Sequence, residues 1–168
     1  MLVLVTGPPG AGKTSLARPL ARELGLPLVA KDVIKEALAE ALPPADVEES
    51  RRLGAATYEV MFALARELES AVLESNFSRV AGPRIAEICP SPIEVFCRCP
   101  SAEVMRRYEQ RIGECGPAHF DVERLDDLRE RIEDENRPLR LGGPLLEVDT
   151  TRPVDVAGVA RWVAAARG

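Results

Sequence analysis

Leu2-Val-Leu-Val-Thr6, followed directly by Gly7-Pro-Pro-Gly-Ala-Gly-Lys13-Thr14, is the stretch on which the reading of this chain turns. The first five residues are a short apolar run of the kind that forms a buried parallel strand. The next eight satisfy G-x-x-x-x-G-K-[ST]. Beyond them Leu16, Leu20 and Leu24 recur every four residues and Gly25 offers a C-terminal cap, so a helix is expected over residues 14–24. Strand, glycine turn and helix in that order are the context in which this pattern binds nucleotide phosphates. Glycines let backbone N–H groups face the phosphates, and the helix N-terminus adds a favourable dipole. Lys13 reaches the β- and γ-oxygens, and the Thr14 hydroxyl is a ligand for Mg²⁺. The expected nucleotide contacts are Gly7, Pro8, Pro9, Gly10, Ala11, Gly12, Lys13, Thr14 and Ser15. Pro19, inside the helix, removes one hydrogen bond and is expected to kink it.

Outward from this loop, strands and helices alternate. Further strands are expected at Leu26–Ala30, Ala71–Glu74, Ile93–Cys99 and Leu145–Val148. Helices are expected from Asp32, with its carboxylate as a possible N-cap, to Ala41, and from Val47 to Leu68. The second carries Leu53, Ala56, Val60, Leu64 and Leu68 at helical spacing. Others are expected over Ser101–Arg111, Val122–Arg137 and Val154–Ala166. Such alternation implies an α/β fold, a parallel sheet of five strands with helices on both faces. A length of 168 residues suits a single domain over residues 1–168.

Composition narrows the function classes. With 46% hydrophobic and 29% charged residues the balance is that of a soluble globular chain, and the net charge of -5 gives no global field for long nucleic acid. The first residues lack the features of a secretory signal and no apolar run is long enough to span a bilayer, so a cytoplasmic location is expected. Cys89, Cys97, Cys99 and Cys115 are then expected as reduced thiols, since Cys-x-Cys alone is poor zinc spacing. No guanine-specifying NKxD signature occurs, and 168 residues are few for an oligomerising ATPase with sensor domains. A kinase is the class that remains.

A kinase needs a group to take the acceptor proton. Asp32 stands at the C-terminal edge of the second strand, facing the crevice where ligands bind in such sheets, and is the expected base. Lys35 lies one turn further along the same helix face, where the bland alternative to a substrate contact is a solvent-facing lysine on an exposed helix. The only lysines in the chain are Lys13, Lys31 and Lys35, and every other basic side chain except His119 is arginine. Glu74, Ser75 and Asn76 end the third strand, with Arg79 and Arg84 on the loop and helix beyond, where they meet either an anionic substrate or solvent. Arg107 and Arg111 are four residues apart on a short helix, so their guanidinium groups can converge on one phosphate site. The bland alternative is a solvated helix in which Glu103, Glu109 and Glu114 balance Arg106, Arg107 and Arg111.

The run Leu4-Val-Thr-Gly-Pro-Pro-Gly-Ala-Gly-Lys-Thr-Ser15 together with Gly25-Leu-Pro-Leu-Val-Ala-Lys-Asp-Val-Ile-Lys-Glu-Ala-Leu38 resembles the small P-loop kinases of the group that includes chloramphenicol phosphotransferase, gluconate kinase and the kinase domain of polynucleotide kinase. Leu73-Glu-Ser-Asn-Phe77, Arg106-Arg-Tyr-Glu-Gln-Arg111 and Pro117-Ala-His-Phe-Asp121 are similar to that group as well. The resemblance implies a nucleoside-kinase-like sheet in the order 2-3-1-4-5, with ATP and Mg²⁺ as cofactors and Asp32 as catalytic base. It implies that Lys35 holds an acceptor phosphate and that Glu74, where the group often has Asp, holds Mg²⁺ through water. Residues from about 105 to 125 correspond to a lid that carries Arg107 and Arg111 to the nucleotide. Thr151 and Arg152 correspond to the adenine-contacting loop.

The expected activity is transfer of the ATP γ-phosphoryl group to a hydroxyl of a small molecule, by a monomer or homodimer. Asp32, Lys13, Arg107 and Arg111 are the expected catalytic set, and Asp32, Lys35, Asn76, Arg79 and Arg84 the expected substrate contacts. Two alternatives stay open: phosphorylation of polynucleotide 5′-hydroxyl ends, and a regulatory or toxin-like ATPase module.

Overall fold

The structure, a computed structural model, describes residues 1–77, 81–112, 120 and 122–167. Five strands form one parallel sheet: β1 (Leu2–Thr6), β2 (Leu28–Ala30), β3 (Ala71–Glu74), β4 (Ile93–Arg98) and β5 (Leu145–Asp149). Their order is β2-β3-β1-β4-β5, as the resemblance implies. The described helices are α1 (Lys13–Leu24), α2 (Lys31–Ala41), α3 (Val47–Glu67), α4 (Gly82–Ile88), α5 (Ser101–Gln110), α6 (Leu125–Glu135) and α7 (Val156–Ala166).

Why β1 is apolar throughout is clear from its neighbours. Successive strand residues point to opposite faces, and both faces are covered. Val3 and Val5 pack with Leu16, Leu20, Val95, Val159 and Val163 under α1 and α7. Leu2 and Leu4 pack with Met61, Phe62, Leu73 and Ile85 on the opposite face, under α3 and α4. The register Val5↔Glu74 on one side and Val5↔Val95 on the other makes β1 the centre of the sheet. The loop that follows it therefore opens at the middle of the C-terminal edge, with β3 and β2 on one flank and β4 and β5 on the other.

The structure corrects three local expectations. In α3 the buried face is Ser50, Leu53, Thr57, Met61, Phe62 and Ala65, while Ala56, Val60 and Leu64 are exposed. Ser50 and Thr57 tolerate burial because their hydroxyls are satisfied, by the Lys35 ammonium at 2.8 Å and the Leu53 carbonyl at 2.8 Å. Asp32 does not cap α2: the helix begins at Lys31, the cap position is Ala30, and Asp32 sits within the first turn. Lys35 is not a solvent-facing lysine but a buried one, 3% exposed.

One carboxylate away from the glycine loop holds the far edge together. Glu94 on β4 is buried and accepts from Thr6 Oγ1 at 2.8 Å and from the backbone N–H groups of Leu139 and Arg140 at 2.8 and 2.9 Å. These bonds tie the segment entering β5 to the strand that carries the loop. Gly143 in that segment has no room for a side chain, since a Cβ would lie 1.9 Å from the Pro92 carbonyl oxygen.

Candidate active site

The turn after β1 bends back on itself through glycines whose conformations other residues rarely adopt. Gly7, Gly10 and Gly12 have φ of 137°, 83° and 80°. A Cβ on Gly7 would lie 2.9 Å from the Cys97 carbonyl oxygen, and one on Gly10 would lie 3.0 Å from that of Val104. The loop thus lies flat on β4 and α5. Gly12 precedes α1 without a side-chain cap, so the first N–H groups of that helix point into the cleft without a competing side chain. Lys13 curls over the loop and donates to the Pro8 carbonyl at 2.9 Å. Burial lowers its pKa, against which the charges of Glu74 and Asp32 pull upward.

A cleft of about 300 Å³ opens above this loop. Pro9, Gly10, Gly12, Lys13, Thr14 and Ser15 line it, while Gly7, Pro8 and Ala11 are buried and support the loop from below. Thr14 and Glu74 meet at its floor, with Thr14 Oγ1 donating to Glu74 Oε1 at 3.2 Å. The other carboxylate oxygen, Oε2, is buried with no hydrogen-bond partner among the described residues. Burial raises the Glu74 pKa, only partly offset by Lys13. A hydroxyl and a carboxylate with one unsatisfied oxygen are hard oxygen donors, and their placement beside the loop fits Mg²⁺.

The flank on the β2 side carries Lys31, Asp32 and Lys35 from the first turns of α2 and Ser75 and Asn76 from the end of β3. Asp32 is exposed in the cleft and makes no hydrogen bond or ion pair with a described residue. Lys35 donates to Ser50 Oγ. Lys31 rests with its ammonium 4.4 Å from the centre of the Tyr58 ring, and burial lowers its pKa. The Tyr58 hydroxyl reaches Ser75 Oγ at 3.0 Å and donates to Asn76 Oδ1 at 3.4 Å. One aromatic residue of α3, outside the cleft wall, therefore braces both Lys31 and Asn76.

Opposite stand the arginines. Arg107 and Arg111 both line the cleft, whereas Arg106 turns away to Glu103 and Gln110. Arg107 is steadied by Glu103 at 2.8 Å and by the Thr150 carbonyl at 3.2 Å. The paired arginines hold the Glu103 carboxyl well below the usual range, at a pKa of about 2. Arg111 stacks on Tyr108, 5.1 Å from the ring centre, and its Nε is buried without a described partner. Residues 113–119 and 121 of the expected lid, His119 among them, lie outside the described residues, as does Arg79.

Three expected contact residues do not line the cleft. Arg84 forms a bidentate pair with Glu59, with its guanidinium carbon 4.6 Å from the Phe62 ring centre. Thr151 and Arg152 turn back onto Asp149, and it is Thr150 that approaches the loop, 3.7 Å from where a Gly12 Cβ would be. Conversely, Lys31, Arg124, Arg131 and Glu135 line the cleft without having been expected there. For Lys31 the signal was the restriction of lysine to the two motifs; for the α6 residues there was none, because their helix reads as an evenly charged surface.

The lining holds seven basic side chains, Lys13, Lys31, Lys35, Arg107, Arg111, Arg124 and Arg131, against the three acids Asp32, Glu74 and Glu135. That surplus of four positive charges stands in a chain of net charge -5. The cleft is built for a highly anionic ligand.

Residues 3–137 match the model of an AAA domain family. No curated protein matches the chain. Among solved structures, a Chloroflexus aurantiacus J-10-fl protein described as a candidate kinase is 35% identical, with a TM-score of 0.83 over 98% of this chain and 96% of that one. A gluconokinase from Sinorhizobium meliloti 1021 is 19% identical, with a TM-score of 0.58 over 98% of this chain and 89% of its own. A shikimate kinase from Acinetobacter baumannii, solved with shikimate, is 18% identical, with a TM-score of 0.58 over 97% and 90%. The chain belongs to the AAA domain family, and its fold is the one shared by these small P-loop kinases.

Proposed function

We propose that the chain is an ATP- and Mg²⁺-dependent phosphotransferase that moves the γ-phosphoryl group to a hydroxyl of a small molecule. One observation carries this reading. Asp32, a carboxylate with no described structural partner, faces the same cleft as Lys13 from the first turn of α2.

In the reaction the acceptor oxygen forms a bond to the γ-phosphorus as the bond to the β,γ-bridging oxygen breaks, and ADP leaves. Asp32 orients the acceptor hydroxyl and takes its proton. Lys13 and the α1 N-terminus hold the phosphates in line, and Arg107 and Arg111 neutralise charge that develops on the transferring group. Mg²⁺, held by Thr14 and Glu74, would supply further charge neutralisation on the phosphate oxygens.

Release of ADP measured across sugars, nucleosides, antibiotics and 5′-hydroxyl oligonucleotides tests the reading. Acceptor-dependent release on a small molecule is the expected result. Release only with oligonucleotides would make it an end kinase, and steady hydrolysis without any acceptor would make it an ATPase module.

A further inference from the structure

The cleft divides electrostatically into two halves. Lys13 belongs to the phosphate loop and Lys31 to the β2 flank of the same cleft, and the ion pair of Arg51 on α3 with Asp127 in the first turn of α6 brings the start of α6, with Arg124 just before it, towards that flank. Lys13, Arg107 and Arg111 serve the nucleotide half in the reading above. The remaining cations are Lys31, Lys35, Arg124 and Arg131, and they face only Asp32 and Glu135, a surplus of two positive charges.

Two of those four are already engaged. Lys35 is bonded to Ser50, and Arg131 donates to the Asp127 carbonyl at 3.1 Å with Glu135 at 3.8 Å. Lys31 and Arg124 have no carboxylate within ion-pair distance among the described residues. Lys31 is nevertheless partly buried, with the Tyr58 ring against its ammonium. Taking an ammonium out of water without a direct ion pair costs stability, and Asp32 and Glu135 together leave this half-site with an excess of positive charge that an anion would balance.

Resting on the phosphotransferase reading, we infer that the acceptor carries a phosphate or carboxylate group beside the hydroxyl that receives the γ-phosphoryl group, and that this anion sits between Lys31 and Arg124, with Arg131 at the rim. The Tyr58 ring holds the Lys31 ammonium in place from beneath, and Asp32, next in sequence, sits on the same side as the acceptor hydroxyl. An acceptor of this kind is anchored by its charge and presents its alcohol to the base.

The test separates anion binding from turnover. Binding of inorganic phosphate and of acetate is measured by calorimetry with the nucleotide half filled by a non-hydrolysable ATP analogue and Mg²⁺. Wild type is expected to bind at least one of the two, and which one it binds distinguishes a phosphorylated acceptor from a carboxylic one. Lys31→Met and Arg124→Met are expected to weaken that binding at least tenfold with analogue affinity unchanged, and Lys31→Arg is expected to restore most of it. ADP release is then compared among matched neutral, carboxylated and phosphorylated polyols. Failure of wild type to bind either anion, equal binding by Arg124→Met, or a parallel loss of analogue affinity would overturn the inference. Those results leave the kinase reading intact if a neutral polyol is phosphorylated. Anion binding at Lys31 and Arg124 without phosphorylation of any alcohol keeps the anion seat and sinks the kinase reading instead.

Discussion

The two flanks of the cleft are made in opposite ways. The nucleotide flank is one continuous stretch, Gly7 to Ser15, whose shape is imposed by backbone conformation and by contact with Cys97 and Val104. The other flank, which the proposed function assigns to the acceptor, is gathered from α2, the end of β3 and α6, and braced from behind by Tyr58 on α3. In the proposed phosphotransferase the first recognises a phosphate chain with backbone N–H groups, which vary little with sequence. The second recognises whatever its side chains select, and so it is where specificity is set.

Substitutions on each flank sharpen or break that contrast. Asp32→Asn is expected to lower transfer on the order of 10²- to 10⁴-fold while leaving ATP affinity within about twofold, measured by single-turnover phosphorylation and nucleotide titration. Near-normal transfer would remove Asp32 from the role of base. Lys13→Met is expected to cost on the order of 10²- to 10³-fold in transfer and, unlike Asp32→Asn, to weaken nucleotide binding as well. Gly7→Ala probes the backbone alone. It forces a side chain into a left-handed conformation and into the Cys97 carbonyl, and a loss of about 1–3 kcal/mol is expected, visible as a lower Tm and weaker nucleotide binding.

Glu74→Gln tests the floor between the flanks. Burial holds the Glu74 carboxyl above its ordinary value of 4.5, so its ionisation opposes folding of the metal-free protein. Below pH 4.5 the group is protonated in both folded and unfolded chains, and glutamine changes nothing. As pH rises through the higher folded-state value, wild type loses stability that the glutamine variant keeps. The variant is expected to melt a few degrees above wild type at pH 8 without Mg²⁺, to converge with it in acid, and to gain less from added Mg²⁺. Tyr58→Phe is the smallest change. It keeps the ring beneath Lys31 and removes only the hydroxyl at Ser75 and Asn76, so about 0.5–1.5 kcal/mol is expected in acceptor KM with ATP KM unchanged. Equal effects on both KM values would show that the flanks are not separable.

The same division governs what could be read in advance. The strand, glycine loop and first helix follow from local chemistry, and Asp32 follows from its place at a strand end. The α3 face was misread because Ser50 and Thr57 look polar in sequence, and only a partner 15 residues away in Lys35, or a carbonyl one turn back, makes their burial acceptable. Arg84 and Arg107 are alike as sequence. One is taken by Glu59 on a neighbouring helix, and the other is turned into the cleft by Glu103 and the Thr150 carbonyl.

By itself the sequence determined the parallel α/β class, the glycine loop and the place of Asp32 just past the second strand, because each depends on contacts within a few residues: period, turn conformation and helix polarity. Tertiary structure alone decided which arginines face the cleft, that Lys35 is buried, and that Lys31 and Arg124 line one cleft with no ion pair to a described carboxylate. Those facts depend on which charges from distant segments meet, and the identity of a side chain does not say which partner will reach it first.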